Sequence, residues 1–366
     1  PSRVARNWGE QAMLIQAWHY AAPNYPYTCY DVLYRTPRQH VGGCLWHSFD
    51  HQRGYHPDPF YGGLMDVFRQ PKYSYYMFQA QRSPKKQDRL FETGPMVYIA
   101  HEMTPFSPKD VTVYSNCDEV RLTYNKGGKS LTYTKPVSRE GMPSPIITFK
   151  DVYNFMIDKN MSMKEGRQKE VFLLAEGLIN GKVVTTHKVC PARRPSKLLL
   201  WIDNENTELK ADGSDFVTVI AAIADKNDNI KRLNNYYVKF HIEGEGRILG
   251  GANVLANPAP VKWGTAPILV QSTLKPGKIK ITASVLFEGS QMPVSAELEL
   301  ESKPSAYPLI YASEEAALIP MKSDSQSFPI TAKSQKELEK EKAVKEQNER
   351  KLKEVEQQQA DFGEKK

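Results

Sequence analysis

The stretch EVFLLAEGLINGKVVTTHKV, residues 170–189, alternates apolar and polar side chains on both sides of one dipeptide, Asn180-Gly181. Alternation with a period of two gives a strand one apolar face, and Asn-Gly favours the positive φ angles of a type I′ turn. The stretch therefore predicts a β-hairpin with one buried face. Because a lone hairpin is only marginally stable in water, further strands are expected around it.

Similar strand-like runs extend on both sides of this hairpin. They are VYIAHEM, DVTVYSN, EVRLTYN and SLTYTK before it, and KLLLWID, DFVTVIAAIAD, YYVKFHIEG, APILVQST, GKIKITASVLF and SAELELES after it. They form two blocks of about 100 residues with short, regularly spaced strands, which is typical of immunoglobulin-like sandwiches. The proline-marked stretch CPARRPSK, residues 190–197, is the expected joint. We predict two all-β immunoglobulin-like sandwiches, at residues 83–192 and 193–303.

The first 82 residues have a different character. Residues 8–21 and the segment after Pro71 place apolar side chains at helical spacing, and a shorter helix around Val32 is expected to end before Pro37. Between them, HVGGCLW predicts one short buried strand behind paired glycines. A single buried strand cannot satisfy its own backbone hydrogen bonds, so its partners are expected outside this chain. The segment is predicted to be the end of a larger α/β domain.

The remaining residues, 304–366, are polar and lose the strand pattern. Ser334 and Glu337 have the spacing of a capping box for a charged helix that is expected to run to about Gln359. Glu–Lys and Glu–Arg pairs four residues apart support that helix, and its apolar positions keep no heptad, which argues against a coiled coil. We expect a solvated, partly frayed helix, with a partner-binding tail as the alternative.

The composition argues against several classes of protein. The formal net charge is +7, but Lys and Arg are scattered, so no nucleic-acid-binding face is expected. No apolar run reaches the roughly 18 residues of a membrane span. The four cysteines lie far apart without CxxC spacing, which disfavours a zinc ribbon or a disulfide framework and favours buried free thiols. The chain begins at Pro1, and we expect its true N-terminus to lie upstream; oligomeric state is not assigned.

Residues 42–66, GGCLWHSFDHQRGYHPDPFYGGLMD, concentrate five aromatics, three His, three Asp and five Gly. A metal site would use His47 and His51 on one helix face, but the glycines and prolines disfavour a helix, and Ser48 stands where a zinc protease needs Glu. A purely structural role would have these side chains plug the end of a barrel. A sugar site would place a Trp ring on the apolar face of a pyranose and polar groups on its hydroxyls. The residue types alone indicate only a site for a polar ligand.

The longer stretch GGCLWHSFDHQRGYHPDPFYGGLMDVFRQPKYSYYMFQAQ, residues 42–81, resembles the last strand, loop and helix of the catalytic barrel in glycoside hydrolase family 2, in the β-galactosidase-like form common in Bacteroidota. VYSNCDEVRLTYN and GEGRILGGANVLANPAPVKWGTAPILVQSTLKPGKIKITA are similar to the sandwich domains that follow this barrel. The resemblance implies a multidomain chain: the C-terminal fragment of a (β/α)8 TIM barrel at 1–82, two immunoglobulin-like sandwiches, and a polar linker with a charged helical tail at 304–366.

The resemblance also implies a retaining hydrolase that cleaves β-linked sugars from oligo- or polysaccharides with two Glu residues, a nucleophile and an acid/base. The matching positions would lie before Pro1, so no catalytic residue is assigned, and the chain alone is expected to be inactive. Trp46 matches the family's aromatic wall beside the cleaved bond, and His47 is a weaker candidate because its strand parity turns it away. Position and chemistry add five substrate-binding candidates in the following loop: Asp50, His51, Arg53, Tyr55 and His56.

Two further polar residues are given structural roles. Glu10 lies in the first turn of a helix, where a carboxylate interacts favourably with the helix dipole. Arg69 is expected to order the loop through Asp66. No metal and no cofactor are expected, and a β-linked carbohydrate is the expected partner. The alternatives are a non-catalytic β-sandwich carbohydrate-binding or scaffold protein, and a β-glucuronidase- or β-mannosidase-type member of the family. A periplasmic or secreted location is implied by the resemblance alone.

Overall fold

The structure is a computed structural model, and it describes residues 3–21, 30–35, 43–56, 58–87, 93–125, 129–136, 141–157, 159, 171–203, 208–286 and 292–306. The charged helix expected from Ser334 and the thiol of Cys29 lie outside these residues. Of the helices that are described, none is long and apolar enough to cross a membrane.

Three helices form the first part of the chain. They are α1 (Glu10–Ala21), α2 (Val32–Arg35) and α3 (Tyr73–Gln79), and a short 3-10 turn (Arg6–Trp8) precedes α1. The predicted periodicity is confirmed for α1 and α3, because Met13 and Ala17 pack with Tyr73 and Met77 in one buried cluster. This cluster also contains Ala100 and Tyr114 from the strands that follow, so the helices share a core with the next domain.

The buried strand predicted from HVGGCLW is not formed in its described part, residues 43–46. Cys44, Leu45 and Trp46 are exposed, and the backbone here joins no sheet. The prediction is wrong for this structure because no described strand lies beside the segment to share its backbone hydrogen bonds. Cys44 is exposed, which contradicts the expectation of buried thiols, whereas Cys117 is buried as expected.

The first sandwich consists of two antiparallel sheets. One has the order β1-β2-β5, from β1 (Val97–Ala100), β2 (Val111–Ser115) and β5 (Ile147–Phe149). The other has the order β4-β3-β6-β7, from β3 (Glu119–Tyr124), β4 (Lys129–Thr134), β6 (Leu173–Ile179) and β7 (Lys182–Val189). Val113 from the first sheet and Leu122 and Leu173 from the second meet in one core. Asn180 and Gly181 have φ angles of 51° and 72°, which confirms the predicted type I′ hairpin.

The second sandwich has a four-stranded and a five-stranded sheet, in the orders β12-β14-β10-β8 and β13-β11-β15-β16-β9. The strands are β8 (Lys197–Asp203), β9 (Lys210–Ala211), β10 (Phe216–Ala224), β11 (Tyr237–Gly244), β12 (Gly246–Ile248), β13 (Ala259–Pro260), β14 (Thr265–Ser272), β15 (Gly277–Leu286) and β16 (Ala296–Pro304). Val219 and Ile268 meet Phe240 and Ile281 in its core. The described chain is therefore mostly β, with few helices.

Strand β10 is buried on both faces. Val219 and Ala221 point into the sandwich core, whereas Ile220 and Ala222 lie on the opposite face and are only 3% and 0% exposed. A strand buried on both sides indicates that another layer covers its sheet. The helical segment contacts this sandwich, because Arg6 Nη2 donates hydrogen bonds to Lys262 O (3.2 Å) and Thr265 Oγ1 (2.6 Å).

Candidate functional site

The aromatic-rich segment folds back on itself. Asp50 N donates to Met65 O at 2.9 Å, and His51 and Phe60 exchange backbone hydrogen bonds of 3.3 and 2.8 Å. Ser48 O accepts from Leu64 N at 3.0 Å. These bonds fix the base of a loop whose described residues are 46–56 and 58–60, called the aromatic loop below.

Gly63 is needed for this close approach of backbone segments. A Cβ atom at Gly63 would lie 2.3 Å from Asp50 N and 2.3 Å from the carbonyl carbon of Phe49. These are backbone atoms that cannot turn aside, so only glycine fits. The missing side chain of Gly63 therefore serves the base of the aromatic loop rather than its tip.

Asp50 lies beneath the aromatic loop and forms a buried ion pair. Lys72 Nζ donates to Asp50 Oδ1 (2.7 Å), Val4 O (2.6 Å) and Tyr61 O (3.1 Å), which uses all three of its protons. The same Asp50 oxygen accepts from Gly63 N at 3.0 Å. Burial raises the pKa of Asp50 to about 6 against the opposing effect of Lys72, and burial also lowers the pKa of Lys72.

This geometry does not support the direct sugar contact that the sequence suggested for Asp50. The residue is 5% exposed, and its carboxylate ties the aromatic loop to the start of α3. Sequence reasoning missed Lys72. Its position after Pro71, just before the helix, was the signal that could have indicated a role in holding the loop to α3. Here the pair positions the aromatic loop.

The outer surface of the aromatic loop is a cluster of rings. Trp46 is 80% exposed, and its ring meets His47 edge-on with centroids 4.7 Å apart. The His47 and His51 rings lie 4.0 Å apart at 32°, and Phe60 lies 5.2 and 5.4 Å from them. Burial, with a smaller effect of His51, lowers the pKa of His47. The structure therefore brings His47, the weaker candidate, into the same surface as Trp46 and His51.

Arg53 and Tyr55 continue this surface toward the tip of the loop. The Arg53 guanidinium lies 5.6 Å from the Tyr55 ring centroid and 5.8 Å from that of Phe60. Tyr55 is strongly exposed, whereas Arg53 Nε and His51 Nδ1 are buried and have no hydrogen-bond partner among the residues that the structure describes. A buried polar atom without a partner is costly, and a bound ligand can supply the missing bond.

His56 differs from the other candidates, because its ring helps to build the loop. His56 Nδ1 accepts from Asp58 N at 3.1 Å, and its backbone oxygen accepts from Gln52 Nε2 at 3.2 Å. One face of the imidazole remains accessible, since the side chain is half exposed. Sequence reasoning also missed Arg3, whose guanidinium lies 4.6 Å from the Phe60 ring.

Asp66 organises the other side of the loop base, but through Arg6 rather than Arg69. Arg6 Nε donates to Asp66 Oδ2 at 2.8 Å, and the Oδ1 atom accepts from Phe68 N and Gln70 N. Arg69 reaches Asp66 only through its backbone N, and its guanidinium lies over Phe49 at 5.7 Å. The expected contact of Arg69 with Asp66 is present through the backbone, and the side-chain partner of Asp66 is Arg6.

Glu10 and Glu102 form a second acidic centre, where α1 meets the first sandwich. Glu10 accepts hydrogen bonds from Glu102 N and Ser107 Oγ, and burial raises its pKa to about 7. The Glu102 carboxylate accepts from Tyr73 Oη at 3.2 Å and Arg232 Nε at 3.0 Å. All four carboxylate oxygens have protein partners, so this pair is built to join segments rather than to meet a substrate.

The described residues contain no group of three or more His, Cys, Asp or Glu placed to hold a metal ion. What the aromatic loop does offer is a solvent-facing indole, two imidazoles in ring contact and a guanidinium, above a base fixed by backbone hydrogen bonds. Such a surface can cover an apolar ring face and can exchange hydrogen bonds with polar substituents around it.

Comparisons with known proteins point to one family. Residues 200–286 match the profile described as "Glycoside hydrolase family 2 C-terminal domain 5". The chain is 31% identical over 273 residues to a β-galactosidase of Thermoanaerobacter pseudethanolicus. The match covers 72% of this chain and 34% of that protein. It is 28% identical over 261 residues to the β-galactosidase BoGH2A of Bacteroides ovatus, covering 66% of this chain and 27% of the relative.

A solved structure agrees at the level of the fold. It is described as a β-glucuronidase from glycoside hydrolase family 2, and it superposes with a TM-score of 0.56 at 21% identity. The match covers 84% of this chain and 29% of the solved chain. The chain thus spans about a third or less of the length of these relatives.

Proposed function

Since the chain belongs to glycoside hydrolase family 2, we propose that it is the C-terminal part of a retaining enzyme that hydrolyses β-glycosidic bonds in oligo- or polysaccharides, with β-galactosidase-like specificity. In this proposal residues 1–82 complete a catalytic (β/α)8 barrel. Residues 83–192 and 193–303 are immunoglobulin-like sandwiches, and residues 304–366 are a polar linker and charged tail.

The observation that carries the proposal is the open indole of Trp46 on a rigid base. Trp46 is 80% exposed although its neighbours His47, His51 and Phe60 are packed ring to ring. Phe49 and Tyr55 of the same loop are also exposed, and a group of exposed large apolar side chains is typical of a binding surface. A pyranose fits it, because the CH face of the sugar can cover the indole while its hydroxyls meet polar groups.

The substrate-binding residues of this proposal are Trp46, His51, Arg53, Tyr55 and His56. The partly exposed imidazole of His51 and guanidinium of Arg53 supply hydrogen-bonding groups beside the ring surface. Asp50 holds the loop in place through Lys72 and does not touch the sugar. Each contact orients the glycoside and excludes water from one side of it.

Retaining hydrolysis needs two carboxylates about 5–5.5 Å apart, one as nucleophile and one as acid/base. We assign neither to this chain and place both before Pro1. Glu10 and Glu102 are the nearest equivalent among the described residues, but every oxygen of the pair is held by a protein donor. The chain therefore contributes binding, and the chemistry belongs to the preceding part of the barrel.

The proposal predicts that Trp46→Ala impairs the full-length enzyme. Losing one aromatic contact of about 1.5–3 kcal/mol should lower kcat/KM for p-nitrophenyl β-D-galactopyranoside by roughly 10- to 100-fold. Trp46→Phe should recover part of the loss. Phe106→Ala is the matched control, because Phe106 is an exposed ring on the first sandwich, and it should leave kcat/KM unchanged. Equal kcat/KM values for Trp46→Ala and the unaltered enzyme would show that Trp46 does not belong to the substrate site.

A second candidate within the family is a β-glucuronidase, because the guanidinium of Arg53 has an unpaired Nε that a uronate carboxylate could use. Assaying p-nitrophenyl β-D-glucuronide and β-D-mannoside beside the galactoside separates these specificities. A non-catalytic carbohydrate-binding scaffold is the candidate from another class. It would be supported by a start codon just upstream of Pro1 and excluded by an upstream reading frame that carries the two Glu residues.

A further inference from the structure

A cleft of about 230 Å³ lies between the helical segment, the first sandwich and the second sandwich. No residue of the aromatic loop lines it. Five of its wall residues are aromatic: Tyr73, Tyr76, Tyr98, Trp201 and Trp263. An opening lined by this many rings between domains is a common place for a small-molecule site.

Strand β8 presents two side chains to this cleft. Leu198, Leu200 and Ile202 pack into the core of the second sandwich, so alternation directs Trp201 and Asp203 to the opposite face of the strand. Ile220 pairs with Trp201 in the neighbouring strand and also lines the cleft. The indole and the carboxylate are therefore two residues apart on one rigid strand, on the same side.

The facing aromatic wall is fixed by stacking. The Tyr76 and Tyr98 rings lie 3.6 Å apart at 7°, and Tyr98 stacks on His187 at 4.7 Å and 29°. Trp263 is held against α1, where a Cβ atom on Gly9 would come within 3.2 Å of its ring. These walls are preformed, so little ordering is needed when a ligand enters.

Most charges around the cleft are already paired within the protein. Arg232 pairs with Glu102 at 3.0 Å, and Arg6 pairs with Asp66 at 2.8 Å. Two lining charges are in no ion pair with another described residue: Arg69, whose guanidinium lies over the Phe49 ring at 5.7 Å, and Asp203, whose Oδ2 atom accepts no hydrogen bond from the described part of the chain. Asp203 is partly exposed at the cleft, so its carboxylate is open to a hydrogen-bond donor that enters there.

We propose that this cleft binds one pyranose unit, with the CH face of the sugar on Trp201 and a hydroxyl donating to the Asp203 carboxylate. Ring stacking and a carboxylate acceptor together suit a molecule that has one apolar face and a rim of hydroxyls. The volume is below the roughly 300–1,000 Å³ of sites for drug-sized ligands, which limits the occupant to a single sugar unit. This site is separate from the aromatic loop and does not depend on its function.

Isothermal titration of the whole chain with methyl β-D-galactopyranoside tests the proposal. We expect saturable binding with a dissociation constant on the order of 1 mM, as for a small neutral ligand. Asp203→Asn should weaken it about tenfold through loss of a charge-assisted bond. Trp201→Ala should do the same, with Trp201→Phe intermediate. The matched control is Asp228→Asn, since Asp228 is an exposed residue of the same sandwich, and it should leave the affinity unchanged.

Thermal unfolding without sugar separates binding from folding. Asp203→Asn keeps the size of the side chain, and the partly exposed Asp203 has no ion pair to lose, so its unfolding temperature should be nearly unchanged while its affinity falls. The proposal is overturned if the unaltered chain shows no saturable binding or if Asp203→Asn binds equally well. Binding lost in Trp46→Ala and kept in the Asp203 and Trp201 variants would place the sugar on the aromatic loop alone, which would overturn this proposal and leave the proposed function standing.

Discussion

Lys72 is a fully buried cation whose ammonium group reaches three segments of the chain. It contacts Asp50 under the aromatic loop, Val4 before α1 and Tyr61 after the loop. Taking a lysine and an aspartate out of water costs several kcal/mol per ion, and their geometry has to offset this cost. The pair therefore contributes more to a single arrangement of the loop than to net stability.

At the residue scale, we predict that Lys72→Met lowers the free energy of unfolding by about 3–5 kcal/mol, because it leaves Asp50 buried without its partner. Urea denaturation measures the change. Lys150→Met is the matched control: Lys150 pairs with Asp110 at 2.7 Å but is 77% exposed, so the expected loss is about 0–1 kcal/mol. Adding Asp50→Asn to Lys72→Met should recover part of the loss. Equal losses in the two single variants would refute the role given to the pair.

Of two elements predicted from the sequence, the hairpin is formed and the strand from HVGGCLW is not. The hairpin at Asn180-Gly181 is local, and the structure shows its two strands and its two-residue turn. The predicted buried face is present on β6, whereas no side chain of β7 is buried. The strand expected from HVGGCLW depended on partners elsewhere in space. No described strand lies beside residues 43–46, and the backbone there is irregular and exposed.

At the element scale, Gly63→Ala should disrupt the base of the aromatic loop, because the new Cβ would meet backbone atoms of Phe49 and Asp50 at 2.3 Å. We expect a loss of roughly 1–3 kcal/mol on denaturation, as for overpacked interiors. Gly251→Ala is the matched control, since its nearest obstacle is the Asn253 side-chain oxygen at 3.3 Å and its φ is negative. A Gly63→Ala chain as stable as the Gly251→Ala chain would contradict the close approach.

At the scale of the whole molecule, a network of charged groups joins the helical segment to both sandwiches. Arg6 of the helical segment bonds Thr265 and Lys262 of the second sandwich. Glu102 of the first sandwich bonds Arg232 of the second and, through its backbone N, Glu10 of α1. The aromatic loop is therefore positioned by domains that follow it by 200 residues in sequence, through Arg6 and Asp66.

This junction should make stability depend on pH. Burial raises the pKa of Glu10 from 4.5 to about 7, so the folded chain holds a proton that the unfolded chain releases. Stability from this group is fully present below pH 4.5 and falls as the pH rises to 7, by up to roughly 3 kcal/mol. Ser107 opposes the shift by donating to the carboxylate, while Glu102 adds to it and Arg232 opposes it weakly.

Urea unfolding at pH 5, 6, 7 and 8 checks this dependence. Glu10→Gln mimics the protonated side chain, so its stability should exceed that of the unaltered chain increasingly as the pH rises. Ser107→Ala removes a bond that favours the ionised form, so it should extend the decline to higher pH. Parallel pH profiles for the Glu10→Gln and unaltered chains would show that Glu10 is not the group responsible.

Much of this protein could be predicted from its sequence, because strand alternation, the Asn-Gly turn and helical spacing are short-range patterns. The density of rings and titratable groups at residues 42–66 also marked the candidate site. Only the tertiary structure decided that Asp50 is a buried partner of Lys72, that Arg6 replaces Arg69 at Asp66, and that Trp201 and Asp203 share a cleft. The physical reason is distance along the chain: these contacts join residues that no local period relates, and burial and pairing exist only once the domains have packed.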